Sequence, residues 1–108
     1  VNDFIGMGDL ADLAAEFGAP LCFDVTHSTQ LPGAQGNASG GRPDRAAMLA
    51  KAAVAAGAEA IFIECHPDPA SARSDAATVL GLQEVPPLLE TLAAIRSVVG
   101  PLARKTTQ

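Results

Sequence analysis

The sequence predicts an α/β protein with parallel strands, on three observations. Two short apolar runs, Leu21-Cys22-Phe23-Asp24-Val25 and Ala60–Glu64, show too little alternation for strands with one wet face. Each is preceded by a segment of helical period, and a third such segment follows the second run. Glycine or proline punctuates the changes of period. The order helix, strand, helix, strand, helix implies right-handed crossovers between neighbouring parallel strands. Two such strands cannot cover their own faces, and a closed barrel takes about 250 residues. The 108-residue chain is therefore expected to be the C-terminal portion of a larger (β/α)8 TIM barrel, about its last two βα units. Residues 1–100 belong to that domain in this reading, and 101–108 form a loose tail.

Asn2 or Asp3 is placed to cap the first helix, in which Leu10, Leu13, Ala14 and Phe17 recur at helical spacing before Gly18. Pro20 opens the first strand, expected to be covered on both faces. Residues Thr26–Gly41 carry Pro32 and glycines at 33, 36, 40 and 41, which predicts a long mobile loop of the kind that serves as a lid or binding segment. Pro43 suits the first turn of an alanine-rich helix running to Ala56, and Gly57 ends it. The strand Ala60–Glu64 follows. Pro67 and Pro69 then predict a stiff loop over Cys65–Pro69. Leu88, Leu89, Leu92, Ile95 and Val99 define the last helix, stopped by Gly100-Pro101.

A net charge of −5 argues against a nucleic-acid or anionic-membrane surface, which needs clustered lysine and arginine. No apolar run approaches the roughly 18 residues of a membrane span, and the N-terminus lacks a signal-peptide pattern. A soluble, cytoplasmic protein is expected. Cys22 and Cys65 make no disulfide framework and read as reduced, packed thiols.

Glu64 ends an apolar strand, His27 stands just beyond the other strand, and Asp75 lies in the loop after Glu64. The C-terminal ends of parallel strands share one face, so His27 and Glu64 are candidates to converge there. One imidazole and two carboxylates suit a divalent first-row metal such as zinc, iron, manganese or cobalt. The same spacing is met by a solvated His27 and Asp75 beside a salt-bridged Glu64. Cys65 would suit zinc, but strand alternation turns it away from Glu64. Asp24, a carboxylate in an apolar strand, must be paired, and it either orients a neighbour or faces the site. His66 before Pro67 is open to a substrate role or a structural one. Ser39-Gly40-Gly41-Arg42, just before a helix, offers backbone N–H groups to an anion or is a plain connection.

Phe23-Asp24-Val25-Thr26-His27-Ser28, Gln30-Leu31-Pro32-Gly33, Ser39-Gly40-Gly41, Ile63-Glu64-Cys65-His66-Pro67-Asp68-Pro69 and Ser74-Asp75-Ala76 closely resemble the 3-deoxy-D-manno-octulosonate 8-phosphate synthase family. The likeness runs in register from about Asn2 to Val99. It implies a (β/α)8 barrel that condenses phosphoenolpyruvate with arabinose 5-phosphate, a transferase of lipopolysaccharide biosynthesis, usually a homotetramer. In metal-dependent members the residues matching His27, Glu64 and Asp75 bind the divalent ion together with a cysteine from the first barrel strand, which this sequence does not contain. Ser74-Asp75-Ala76-Ala77-Thr78 resembles those members more than the metal-independent ones, whose run continues Asp-Gly-Pro. Departures are Pro43 where members commonly carry arginine, leaving Arg42 as the substitute, and Asp9 where many carry arginine in the first helix.

The resemblance implies that C3 of phosphoenolpyruvate adds to the sugar aldehyde while water attacks C2, and phosphate leaves by C–O cleavage. The catalytic set is then His27, Asp24 and His66, with Asp24 and His66 in orienting roles. Gln30, Ser39 and Arg42 are the substrate contacts, and residues 32–41 close over the substrates. Two other readings stand beside this one. The chain by itself is a non-catalytic fragment, or it is a stand-alone metal-binding module.

Overall fold

The computed structural model describes residues 2–35, 38–71 and 79–100, with the backbone alone over 31–40 and at 71. The first helix, α1 (Phe4–Glu16), begins where Asp3 accepts the Gly6 N–H at 2.9 Å, which satisfies one of the helix's open donors. Only Ala11 of α1 is buried, and Ile5 is 82% exposed. Strand β1 (Cys22–Asp24) leads directly into a one-turn helix, α2 (Val25–Ser28). Then come β2 (Gln30–Gln35), β3 (Ala38–Gly41), a 3-10 turn (Pro43–Arg45) and α3 (Ala46–Ala56). Strand β4 (Ala60–Phe62) is followed by β5 (Cys65–His66), a 3-10 turn (Pro69–Ser71), β6 (Leu80–Gly81), a last 3-10 turn (Leu82–Glu84) and α4 (Val85–Val99).

The helices follow from small and branched apolar residues at helical spacing. Ala46, Ala50, Ala53 and Val54 are the buried stripe of α3, and their small side chains allow close approach to α4, which buries Leu88 and Leu92. Gly57 ends α3 at φ +114°, with its N–H returned to Ala53 O at 3.1 Å. A side chain there would be strained, so glycine is the residue that stops this helix.

Among the described residues there are three two-stranded sheets. β1 and β4 pair in parallel, with Cys22 opposite Ala60, Phe23 opposite Ile61 and Asp24 opposite Phe62. The α3 crossover between them is the βα unit expected, and the chain is a mixed α/β fold with parallel strands. Phe23 faces the common cluster with Leu21, Val25, Val54, Leu80, Leu88 and Leu92. Each large aliphatic side chain buried there stabilises the fold by about 1.5–3 kcal/mol. No helix of the described residues is long and apolar enough to cross a membrane.

Several expectations change. The stretch Thr26–Gly41 is not one long loop: its start is α2, and β2 and β3 form an antiparallel hairpin with Gln30 opposite Gly41 and Gln35 opposite Ala38. Glycine and proline lower strand propensity, but a ladder needs only backbone donors and acceptors. The register slips between Leu31 and Gln35, the interval that holds Pro32 with its missing N–H. Among the described residues the first strand is covered on one face rather than two, because Phe23 is buried while Cys22 is exposed. Strand alternation sends Phe23 into the cluster and Cys22 to the opposite side. Both cysteines are free as expected, yet neither is packed, since Cys65 is exposed as well.

The second strand stops at Phe62, and the supposed loop beginning at Cys65 contains β5, paired in parallel with β6 through Cys65 opposite Leu80 and His66 opposite Gly81. Pro67 bars a longer ladder but not these two residues. Asp75 and the tail 101–108 lie outside the described residues.

Candidate functional site

The site is built where β1 and β4 stop pairing. Asp24 closes the β1 ladder in an extended conformation, φ −86° and ψ 99°, and also caps α2. Its Oδ1 accepts the His27 N–H at 2.9 Å, as an N-cap does. Its Oδ2 lies 2.9 Å from His27 Nδ1. One carboxylate thus fixes both the backbone and the ring of the same histidine. This turns the other ring nitrogen outward, and Nε2 stands 3.7 Å from Glu64 Oε1. In the neutral ring with its proton on Nδ1, Nε2 is the acceptor and the ligating nitrogen. In the imidazolium it forms an ion pair with Glu64.

Glu64 lies two residues past β4, in the gap before β5, rather than on a continuous strand. Its backbone N–H donates to Thr26 Oγ at 2.7 Å, and its carbonyl accepts the Leu80 N–H at 3.1 Å. The side chains of His27 and Glu64 are 38% and 33% exposed, so a ligand can reach both. Phe62 flanks the imidazole with ring centroids 6.1 Å apart and gives it an apolar neighbour.

The structure therefore brings Asp24, His27 and Glu64 together. His66 is engaged within its own turn, where Nδ1 accepts the Asp68 N–H at 2.9 Å. Gln30 opens the hairpin opposite Gly41, and Ser39 is on the returning strand. The Arg42 N–H donates to Thr29 O at 2.8 Å, so this amide is not open to an anion. The Arg42 guanidinium forms two bonds to Asp44, Nε to Oδ1 at 3.0 Å and Nη2 to Oδ2 at 2.9 Å. This fork holds the Asp44 carboxyl below its usual range and raises Arg42 above its own. Any anion that Arg42 receives must compete with Asp44.

Among the described residues, no group of three His, Cys, Asp or Glu side chains is gathered closely enough to hold a metal ion. His27 and Glu64 fit as two of the three donors that the sequence resemblance implies here, with Asp24 in the place of the carboxylate that orients a ligating imidazole. Two hollows of about 290 and 300 Å³ lie elsewhere. The first is bounded by Pro43, Lys51, Leu80, Glu84 and Leu88, the second by Val54, Glu59, Ile61, Leu92 and Arg96. Neither is lined by Asp24, His27 or Glu64.

Sequence reasoning missed Thr26 and Phe62. Thr26 looks like one more polar loop residue, and the signal of its role is its position, two residues past a carboxylate that ends an apolar strand.

Residues 2–99 match the family model described as DAHP synthetase I family. Over 98 residues the chain is 49% identical to a 2-dehydro-3-deoxyphosphooctonate aldolase of Paracidovorax citrulli, covering 91% of this chain and 33% of that protein. It is 51% identical over 92 residues to a protein of the same name from Verminephrobacter eiseniae, covering 85% and 32%. With the one from Alkalilimnicola ehrlichii it shares 50% identity over 95 residues, covering 86% and 34%. The chain spans about one third of the length of these curated relatives. It belongs to the DAHP synthetase I family, with 2-dehydro-3-deoxyphosphooctonate aldolases among its relatives.

Proposed function

We propose that this chain is the C-terminal portion of a (β/α)8 barrel that condenses phosphoenolpyruvate with arabinose 5-phosphate to give 3-deoxy-D-manno-octulosonate 8-phosphate and phosphate. The observation that carries the reading is the approach of His27 Nε2 to Glu64 Oε1, 3.7 Å apart at the ends of neighbouring parallel strands, in a chain of this family. Strand ends of that kind are where such barrels keep their chemistry.

His27, Glu64 and Asp75 hold a divalent ion in this proposal. When bound, the ion polarises or positions an oxygen of the substrate or of water. Asp24 keeps the His27 ring in the tautomer that presents Nε2. Gln30, Ser39 and Arg42 stand on or beside the β2–β3 hairpin, and in this proposal they contact the substrates while the hairpin covers them and excludes bulk water. The enzyme acts in the cytoplasm as a homotetramer.

The test is metal content and product formation of the protein produced at its natural length, with His27→Ala and Glu64→Ala. Both variants are expected to lose bound metal and activity together. Unchanged metal content in both would remove the site assignment.

A second reading is that these 108 residues alone do not catalyse. It is favoured by the one-third coverage of the relatives and by the apolar side chains left in solvent, with Ile5 82%, Phe17 80% and Val98 83% exposed. The isolated chain is then inactive and gives no cooperative thermal transition, with or without added Mn²⁺.

A further inference from the structure

The β1–β4 ladder ends with Asp24 opposite Phe62, because β1 turns into α2 at Val25. Beyond that point β1 offers no strand carbonyl to the chain leaving β4. The Glu64 N–H instead donates to the side-chain oxygen of Thr26 at 2.7 Å. Thr26 is 1% exposed, and its own carbonyl accepts the Thr29 hydroxyl at 2.8 Å and the Thr29 N–H at 3.3 Å. Those two bonds hold the Thr26 main chain within the turn, its side chain is buried, and the residue next to it is His27. The Glu64 N–H bond to Thr26 joins the turn that carries the imidazole to the segment that carries the carboxylate.

We propose that Thr26 is a positioning residue, whose buried hydroxyl sets the distance between His27 Nε2 and the Glu64 carboxylate. The inference rests on the reading of His27 and Glu64 as one ligand-binding site. Threonine meets the position's two demands, a side chain that is wholly buried and a hydroxyl that reaches across to the neighbouring segment. Valine would keep the shape and leave the Glu64 N–H without a partner, and buried donors avoid that state.

The experiment measures Mn²⁺ binding by calorimetry, together with kcat and KM, for the natural-length protein and for Thr26→Val, Thr26→Ser, His27→Ala and Glu64→Ala. Thr26→Val is expected to weaken Mn²⁺ binding by about 10- to 100-fold, the usual effect of losing a group that orients a ligand. Thr26→Ser restores the native affinity, because it keeps the hydroxyl. The Glu64 amide, followed by NMR hydrogen exchange, is protected in the native protein and in Thr26→Ser and loses protection in Thr26→Val.

Native affinity in a folded Thr26→Val overturns the inference. So does a Thr26→Ser variant that has lost affinity, which would make the methyl group responsible. Should Thr26→Val not fold, the serine variant and the native exchange rate decide, and an unprotected native Glu64 amide overturns the proposal. If the His27 and Glu64 variants lose Mn²⁺ while Thr26→Val does not, the inference alone fails. If none of the variants loses it, the site reading fails as well.

Discussion

Asp24 bonds to His27 twice, through Oδ1 to the backbone N–H and through Oδ2 to the ring, each at 2.9 Å. The two bonds do different work and can be separated by substitution. Asp24→Asn keeps an oxygen for the cap but places an amide, a donor, against the ring. It is expected to preserve most of the stability while turning the imidazole to its other tautomer and lowering activity. Asp24→Ala removes the cap as well and costs about 0.5–2 kcal/mol. Urea denaturation and steady-state kinetics on the two variants distinguish these effects. Equal activity in Asp24→Asn and the native protein would show that the ring contact is not used.

The fork between Arg42 and Asp44 gives a second prediction. With the Asp44 carboxyl held low in the folded chain, the pair's contribution is present above the carboxyl's unfolded pKa and is lost as pH falls through the lowered folded one. Both side chains are exposed, so the stability effect is small. Carbon-detected NMR titration of the Asp44 carboxyl should show its midpoint move up towards the ordinary range in Arg42→Ala. In the natural-length protein, Asp44→Asn releases the guanidinium and should lower KM for a phosphate-bearing substrate. No change in KM, in this variant or in Arg42→Ala, would take Arg42 out of the substrate contacts.

The packing of α3 on α4 gives a third. Leu92 is buried against the alanine face of α3, whereas Leu89 on the same helix is half exposed. Leu92→Ala should destabilise by about 2–5 kcal/mol through lost burial and the cavity left behind. Leu89→Ala should cost markedly less. Denaturant midpoints for the two variants check this, and equal shifts would contradict the packing described.

The helices α3 and α4 and the parallel pairing of β1 with β4 were legible because spacing, glycine stops and apolar runs all agree along the chain. The β2–β3 hairpin was not. Its glycines and Pro32 carry no alternation of apolar and polar residues to read. Strands β5 and β6 are two residues each, too short for any period, and they are joined by backbone bonds between distant segments. Within the site, the residue types of Asp24, His27 and Glu64 stood out in an apolar background. The double use of Asp24 could not be read, since it depends on the turn into α2 directly after β1. Thr26 was invisible for a related reason, because its partner is 38 residues away.

Glu64 is tied at both of its peptide ends, by its N–H to Thr26 and by its carbonyl to Leu80. A carboxylate mounted in this way answers an arriving ligand by rotating about its own side-chain bonds, with the main chain left where it is. Such rotamer changes take picoseconds to nanoseconds, against microseconds or longer for collective movements of the backbone. At this position the molecule has met the entropy of ordering during folding, before any ligand arrives.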